Sequence, residues 1–161
     1  MASEGASKLT LAGIFMGGLA TFTALLRHGE EEPEFRPFDL LVLGLATYRT
    51  GRLVAFERAA APLREPVTKT VPDASGAGEA VVAAGTGWRW TLGELLYCPT
   101  CIGTWVTASL VYGVRLAPGP TKVFAAIMGI TGVAQLLSEA TEALTWSSRS
   151  ARQRAAPIRG V

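Results

Sequence analysis

Charged residues are scarce in this sequence, and histidine and cysteine are rarer still. Only 17% of the 161 residues are charged, whereas about 25% is usual for a soluble domain. One histidine and two cysteines leave little material for a metal site or a Ser–His–Asp arrangement. The net charge of +2 gives no broad cationic surface, so we expect no nucleic-acid partner. These shortages argue against an ordinary soluble enzyme.

Apolar residues make up 49% of the chain, and they fall into four blocks. Residues 9–26 and 95–114 are uncharged for 18 and 20 residues, 123–138 for 16, and 40–56 is interrupted by Arg49 and Arg52. About 20 apolar residues cross a hydrocarbon core about 30 Å thick. We therefore predict an all-α integral membrane bundle within residues 1–146, with four transmembrane helices at about 9–26, 38–56, 95–115 and 122–146.

Lysine and arginine are distributed unequally between the two ends of such a bundle. With four spans, nine of them fall on the side of both termini and the 57–94 connection, and four fall on the other side. Cytoplasmic segments carry the excess of these residues. We therefore expect both termini to be cytoplasmic.

The cytoplasmic segments differ in composition. The 57–94 connection is predicted to open with a short helix, Phe56–Ala61, that ends at Pro62. Residues 72–87 are rich in Ala, Gly and Pro without periodicity, and we expect them to form a mobile linker. The basic tail, 147–161, is predicted to be disordered near the anionic lipid surface.

The most specific local motif is Cys98-Pro99-Thr100-Cys101, at the predicted cytoplasmic start of the third span. Proline suits the first turn of a helix, and a helix N-terminus favours thiolate over thiol. A redox dithiol, half of a zinc site, a lipidation target and two packed apolar side chains all remain open. Because structural zinc takes four ligands, zinc would need a second subunit or carboxylates. We expect no bound cofactor.

Ionisable residues within the spans form a second motif. Arg49 and Arg52 share one face of the second helix, and Glu139 and Glu142 share one face of the fourth. Counted at about 1.5 Å per residue, both pairs fall in the cytoplasmic half of the bundle. We predict that the arginines pair with the glutamates close to the cysteines, although the arginines could instead reach lipid phosphates.

Three sequence stretches occur in a fixed order: Ala-Thr-x-Arg-x-x-Arg-Leu, Pro-x-Arg and Cys-Pro-x-Cys-x-Gly-x-Trp. They fall on Arg49, Arg52, Pro62, Arg64, Cys98, Pro99, Cys101, Gly103 and Trp105. Over about residues 38–140 the chain thereby resembles the small bacterial integral membrane family catalogued as domain of unknown function 1360. That family includes sporulation membrane proteins of Bacillus-type bacteria. The resemblance implies a bacterial plasma membrane and raises the expectation of one shared site, but it implies no activity.

The sequence favours a non-enzymatic role over catalysis. We expect a membrane scaffold or accessory subunit, with the tail and the 57–94 connection available to a protein partner or a second copy. One alternative is a thiol-dependent redox or metal-binding protein that uses Cys98 and Cys101. Another is a small transporter or pore that uses the charges within the spans.

Overall fold

The computed structural model describes residues 2–26, 35–73 and 78–155. In that part of the chain the helices are α1 (Ala2–Leu26), α2 (Pro37–Phe56), α3 (Ala61–Arg64), α4 (Trp88–Tyr97), α5 (Pro99–Leu116) and α6 (Pro118–Ala155). A 3₁₀ turn, Arg58–Ala60, precedes α3, and the strands β1 (Thr68–Pro72) and β2 (Glu79–Ala83) lie between α3 and α4.

Two of the described helices are long and apolar enough to cross a membrane, namely α1 over Gly5–Leu25 and α6 over Pro118–Ser150. A third candidate is the pair α4 and α5, which meet at an 84° bend. A mostly helical protein with candidate membrane helices is therefore confirmed. α2 has 20 residues but contains Asp39, Arg49 and Arg52, which lower its hydropathy.

α2 and α6 lie side by side and run in the same direction. A Cβ atom at Gly129 would lie 3.4 Å from the carbonyl oxygen of Val42, and one at Gly132 would lie 2.9 Å from that of Leu45. Residue numbers therefore rise together along the two helices. Glycine allows this close approach because it has no side chain to separate the backbones.

α2 and α5 are also in close contact, but they run in opposite directions. A Cβ atom at Gly51 would lie 2.8 Å from the carbonyl oxygen of Pro99. Nearer the middle of both helices, the hydroxyls of Thr47 and Thr107 are 3.2 Å apart. A core of buried apolar side chains fills the region where α2 meets α5 and α6, and it comprises Leu43, Ala46, Leu110 and Ala125.

α1 packs against α5 through aromatic side chains, and the two helices run in the same direction. Phe15 meets Trp105 edge to face, with ring centroids 4.8 Å apart. Phe22 stacks on Tyr112, again with centroids 4.8 Å apart. Taken in chain order, α1, α2, α5 and α6 therefore alternate in direction.

The connection between α2 and α4 is folded, which corrects two predictions. β1 and β2 form an antiparallel hairpin with Thr68 opposite Ala83, and Gly93 of α4 lies so close that a Cβ atom there would be 2.9 Å from the Ala83 side chain. The chain is therefore not all-α, and the mobile linker predicted over 72–87 is wrong for β2. Residues 74–77 lie outside the described part. The sequence of β2 lacks the alternation of apolar and polar residues that indicates a strand, because residues 80–83 are all apolar.

Three predicted boundaries also change. The helix expected over 56–61 is a turn followed by α3, and Pro62 lies in the first turn of α3 rather than ending a helix. α5 begins at Pro99 instead of residue 95, because the chain bends at Cys98. α6 continues to Ala155, so the disorder predicted for the tail is wrong up to that residue. Residues 156–161 lie outside the described part.

Candidate functional site

Cys98 occupies the bend between α4 and α5 and is the N-cap of α5. Its Sγ accepts a hydrogen bond from the backbone N–H of Cys101, with a distance of 3.3 Å, and Pro99 occupies the first turn. Both cysteines are free, Cys101 exposed and Cys98 half-buried. Cys98 is the N-cap and Cys101 is the third residue of α5, and the side chain of an N-cap faces the backbone of the third residue. The motif therefore brings the two thiols to the same end of α5.

Both thiols line a cavity of about 520 Å³ between α1, α4 and α5, which we call the thiol cavity. Leu11 and Phe15 of α1 and Trp105 of α5 form its apolar walls. α1 therefore supplies one side of the cavity, although the sequence motifs all belong to α2, α5 and the connection.

An ion pair also lines the thiol cavity. Lys8 Nζ of α1 lies 2.8 Å from Glu94 Oε2 of α4 and 4.8 Å from the centroid of the Trp90 ring. The pair joins α1 to α4 next to the thiols. No sequence motif had singled out Lys8, since its partner is 86 positions away and only the fold brings them together.

A second apolar space, of about 660 Å³, runs between α1, α2 and α5, and we call it the helix groove. It is lined by Gly103, Ala108 and Val111 of α5, among others, and by Thr47 of α2. Phe15 and Thr104 line both spaces. The helix groove therefore adjoins the thiol cavity and extends from it along the bundle.

Glu139 is the centre of a polar cluster between α2 and α6, which we call the Glu139 cluster. Its carboxylate lies 3.1 Å from Arg52 Nη2 and accepts hydrogen bonds from the Tyr48 hydroxyl at 3.3 Å and from Gln135 Nε2 at 3.2 Å. Three donors from two helices therefore converge on one carboxylate. Hydrogen bonds that involve a charged group are about twice as strong as neutral ones.

Arg49 has a different partner from the one predicted. Its guanidinium bonds to Glu57, just beyond the end of α2. Among the described side chains, Glu142 forms no ion pair. Of the predicted pairs between arginine and glutamate, the structure contains the one between Arg52 and Glu139. Arg49 and Glu142 do not pair with the predicted residues. The sequence offered no signal for Glu57, because it lies eight positions after Arg49 and outside the three- or four-residue spacing of helix-surface pairs.

Arg64 is buried, and its side chain caps the C-terminal end of α2. The guanidinium donates to the carbonyl oxygens of Val54 at 3.1 Å, Phe56 at 3.5 Å and Glu57 at 2.7 Å. The last carbonyls of a helix have no partner within it, and a cation there is favoured by the helix dipole. The Pro-x-Arg motif thus has a structural explanation that its spacing alone did not provide.

The remaining motif residues belong to helix contacts. The backbone of Pro99 approaches Gly51 of α2, and a Cβ atom at Gly103 would lie 3.6 Å from the Thr47 side chain. Trp105 packs on Phe15 and lines the thiol cavity. The Glu139 cluster lies between α2 and α6, whereas the thiols lie between α1, α4 and α5. The residues predicted to form one site are therefore divided between two.

The thiols do not form part of a larger ligand set within the part of the chain that the structure describes. No group of three or more His, Cys, Asp or Glu side chains there could hold a metal ion. A zinc site built on Cys98 and Cys101 would thus need ligands from another molecule.

Comparison with known proteins places this arrangement in a family. Residues 42–141 match the family described as "Protein of unknown function (DUF1360)". The sporulation protein YjcA of Bacillus subtilis (strain 168) is 34% identical over 101 residues, which cover 61% of this chain and 86% of that relative. No solved structure matches the chain. The matched region holds the Glu139 cluster, Arg64 and both thiols, and the resemblance read from the motifs is confirmed: the chain belongs to the DUF1360 family.

Proposed function

We propose that this protein crosses a bacterial plasma membrane four times, through α1, α2, α5 and α6, with both termini in the cytoplasm. We further propose that it acts as a non-enzymatic scaffold or accessory subunit for a protein partner in the bilayer. The observation that carries both proposals is the packing of α2, which lies between α5 and α6 and has both of its arginines paired within the chain.

The position of α2 supports four crossings rather than three. Its 20 residues span about 30 Å, the thickness of a hydrocarbon core. It packs along α5 and α6 and alternates in direction with α1 and α5, as consecutive crossings must. Its Arg52 bonds to Glu139 of α6, and ionisable residues within spans usually face the protein and pair.

Orientation follows from which end of the bundle carries the basic residues. The hairpin, the N-terminal end of α1, the C-terminal end of α2 and the last turns of α6 lie at one end. Lys8, Arg58, Arg64, Lys69 and Arg149 belong to that end. By the excess of positive charge on cytoplasmic segments, we assign it to the cytoplasm.

The exposed apolar face of α6 supports a scaffold role. Four exposed apolar side chains recur every seven residues on the side of α6 away from α2, namely Val123, Ile130, Leu137 and Leu144. Ile130 and Leu144 are 72% and 70% exposed. On the side that faces α2, Glu139 of α6 bonds to Arg52. The protein thus offers apolar surface for lipid or a partner helix, and its polar groups stabilise the bundle.

Topology is tested by labelling single cysteines in intact cells. In a Cys98→Ser/Cys101→Ser background, Gly119→Cys at the start of α6 should react with a membrane-impermeant maleimide added outside. Ser148→Cys near the other end of α6 should react only after the membrane is permeabilised. Equal labelling of both positions, or the reverse pattern, contradicts the proposed topology.

The scaffold role is tested by photo-crosslinking in native membranes. A photoreactive amino acid at Ile130 should yield one discrete protein adduct or a crosslinked dimer, and non-irradiated membranes are the control. The same amino acid at Phe38, which is exposed on α2, tests whether the adduct is specific to the α6 face. Lipid adducts alone at both positions would contradict a scaffold.

A second candidate function is supported by the thiol geometry. The Cys98 Sγ accepts the Cys101 N–H at the start of α5, and such positions favour the reactive thiolate. We propose thiol-dependent redox activity as the alternative. Mild oxidation with diamide should form one intrachain disulfide, detected as loss of both maleimide-reactive groups. Retention of two free thiols in folded protein would exclude this candidate.

A further inference from the structure

The two thiols line the thiol cavity, which adjoins the larger and mostly apolar helix groove. The thiol cavity has a volume of about 520 Å³, within the range of about 300–1,000 Å³ found for small-molecule sites. Its walls are mostly apolar, and its polar groups include the two thiols, the pair formed by Lys8 and Glu94, and a few hydroxyls. An apolar cavity with a few convergent polar groups is the usual form of a ligand site.

The adjoining helix groove suggests the shape of the ligand. It leads away from the thiols along α5, past Gly103, Ala108 and Val111. A ligand that filled both spaces would have a compact head beside the thiols and an apolar tail along the bundle. Because the groove lies between the proposed spans, such a ligand would be lipid-soluble.

The chemistry of the thiols then selects the class of ligand. Two cysteines at positions one and four of a helix start are spaced to form a disulfide, a reaction that releases two electrons and two protons. A lipid-soluble molecule that accepts both electrons and both protons, and combines a compact ring with an apolar tail, is a membrane quinone.

We propose that Cys98 and Cys101 are oxidised by a membrane quinone, with its ring in the thiol cavity and its tail in the helix groove; this rests on the thiol-dependent candidate function. The two S–H bonds break and one S–S bond forms. Both electrons and both protons pass to the quinone oxygens and give the quinol. A cytoplasmic dithiol restores the thiols by thiol–disulfide exchange, which keeps the disulfide transient in a reducing compartment.

The test uses the reduced full-length protein in lipid nanodiscs without oxygen. Decylubiquinone is the probe, because its ring is fully substituted and thiols do not readily add to it. Loss of quinone absorbance should correspond to about one quinol per chain, and both thiols should become unreactive to maleimide. Cys98→Ser and Cys101→Ser should each abolish quinol formation.

Two matched variants separate the groove from the thiols. Ala108→Phe places a ring in the helix groove and should slow quinone reduction at least tenfold while oxidation by diamide stays unchanged. Ala134→Phe, at an exposed position of α6, should leave both rates unchanged. Equal rates of quinone reduction in the two variants would overturn the assigned site.

The outcomes also distinguish oxidation by a quinone from the thiol-dependent redox activity on which it rests. If diamide forms the disulfide but decylubiquinone is not reduced, the quinone is wrong and thiol-dependent redox activity survives. If neither reagent oxidises the pair in folded protein, both fail. Quinol formation that depends on both cysteines and is slowed by Ala108→Phe supports the inference.

Discussion

At the scale of single residues, charged side chains of this protein cap the end of a helix or pair between neighbouring helices. Arg64 bonds to three carbonyl oxygens at the end of α2, and Glu139 gathers donors from α2 and α6. Each of these contacts joins a helix to another segment of the chain. Their removal should therefore affect stability before any other property.

Replacing Arg64 with alanine should destabilise the end of α2. The partly buried carbonyls of Val54 and Glu57 would lose a charged donor, at a cost of about 2 kcal/mol. We expect the Tm in detergent to fall by about 4–8 °C. Arg58→Ala is the matched control, because Arg58 is exposed and nearby. An equal loss in both variants would mean that the capping contact is not the cause.

The pair of Arg52 and Glu139 should show coupling in a charge swap. Arg52→Glu or Glu139→Arg alone places like charges together, so each should reduce the yield of folded protein. The double variant restores the attraction and should recover part of that yield. Recovery is incomplete because Tyr48 and Gln135 also donate to Glu139. Glu142→Arg serves as the control and should have little effect; additive losses in the double variant would count against the pair.

At the scale of helices, close backbone contacts set the arrangement of the bundle. A Cβ atom at Gly51 would lie 2.8 Å from the Pro99 carbonyl oxygen, whereas one at Gly44 would meet nothing within 4 Å. Both glycines belong to α2, so their helix propensity is the same and only the neighbour differs. A comparison of substitutions at Gly51 and Gly44 therefore measures the effect of packing α2 against α5.

Gly51→Ala should therefore lower the Tm, because α5 must move away from α2 to make room for the methyl group. Gly44→Ala should leave the Tm unchanged or raise it, since alanine in a helix is favoured over glycine by about 0.5–1 kcal/mol. Thermal unfolding of both variants in the same detergent measures the difference. A lower Tm for Gly44→Ala than for Gly51→Ala would contradict the observed α2–α5 contact.

The sequence predicted the helices better than the segments between them, for physical reasons. Long apolar runs identify α1 and α6 because a membrane helix must be apolar along its whole length. The bend at Cys98 was missed because the apolar run passes through it without interruption. The hairpin was missed because β2 depends on packing against α4, a contact between distant residues. Likewise, the glutamate that bonds Arg49 belongs to the chain beyond α2, where helical spacing no longer applies.

At the scale of the whole molecule, α1 lies outside the residues that match the family. The family match covers residues 42–141, which include most of α2, all of α5 and most of the membrane part of α6 but not α1. Yet α1 supplies Leu11 and Phe15 to the thiol cavity. It also contacts α4 through an ion pair and α5 through two pairs of aromatic rings. It therefore forms one side of the thiol cavity without belonging to the motif that contains the thiols.

Loosening α1 should consequently expose the thiols while the rest of the bundle stays folded. Lys8→Ala combined with Phe15→Ala removes the pair with Glu94 and the contact with Trp105. We expect maleimide to label Cys98 several-fold faster in the full-length variant, with little change in the Tm of the α2–α5–α6 core. Phe38→Ala, which removes an exposed ring from α2, is the control and should not alter labelling. Unchanged labelling in the α1 variant would show that access to Cys98 is set by α4 and α5 alone, since those helices hold the thiol whatever the position of α1.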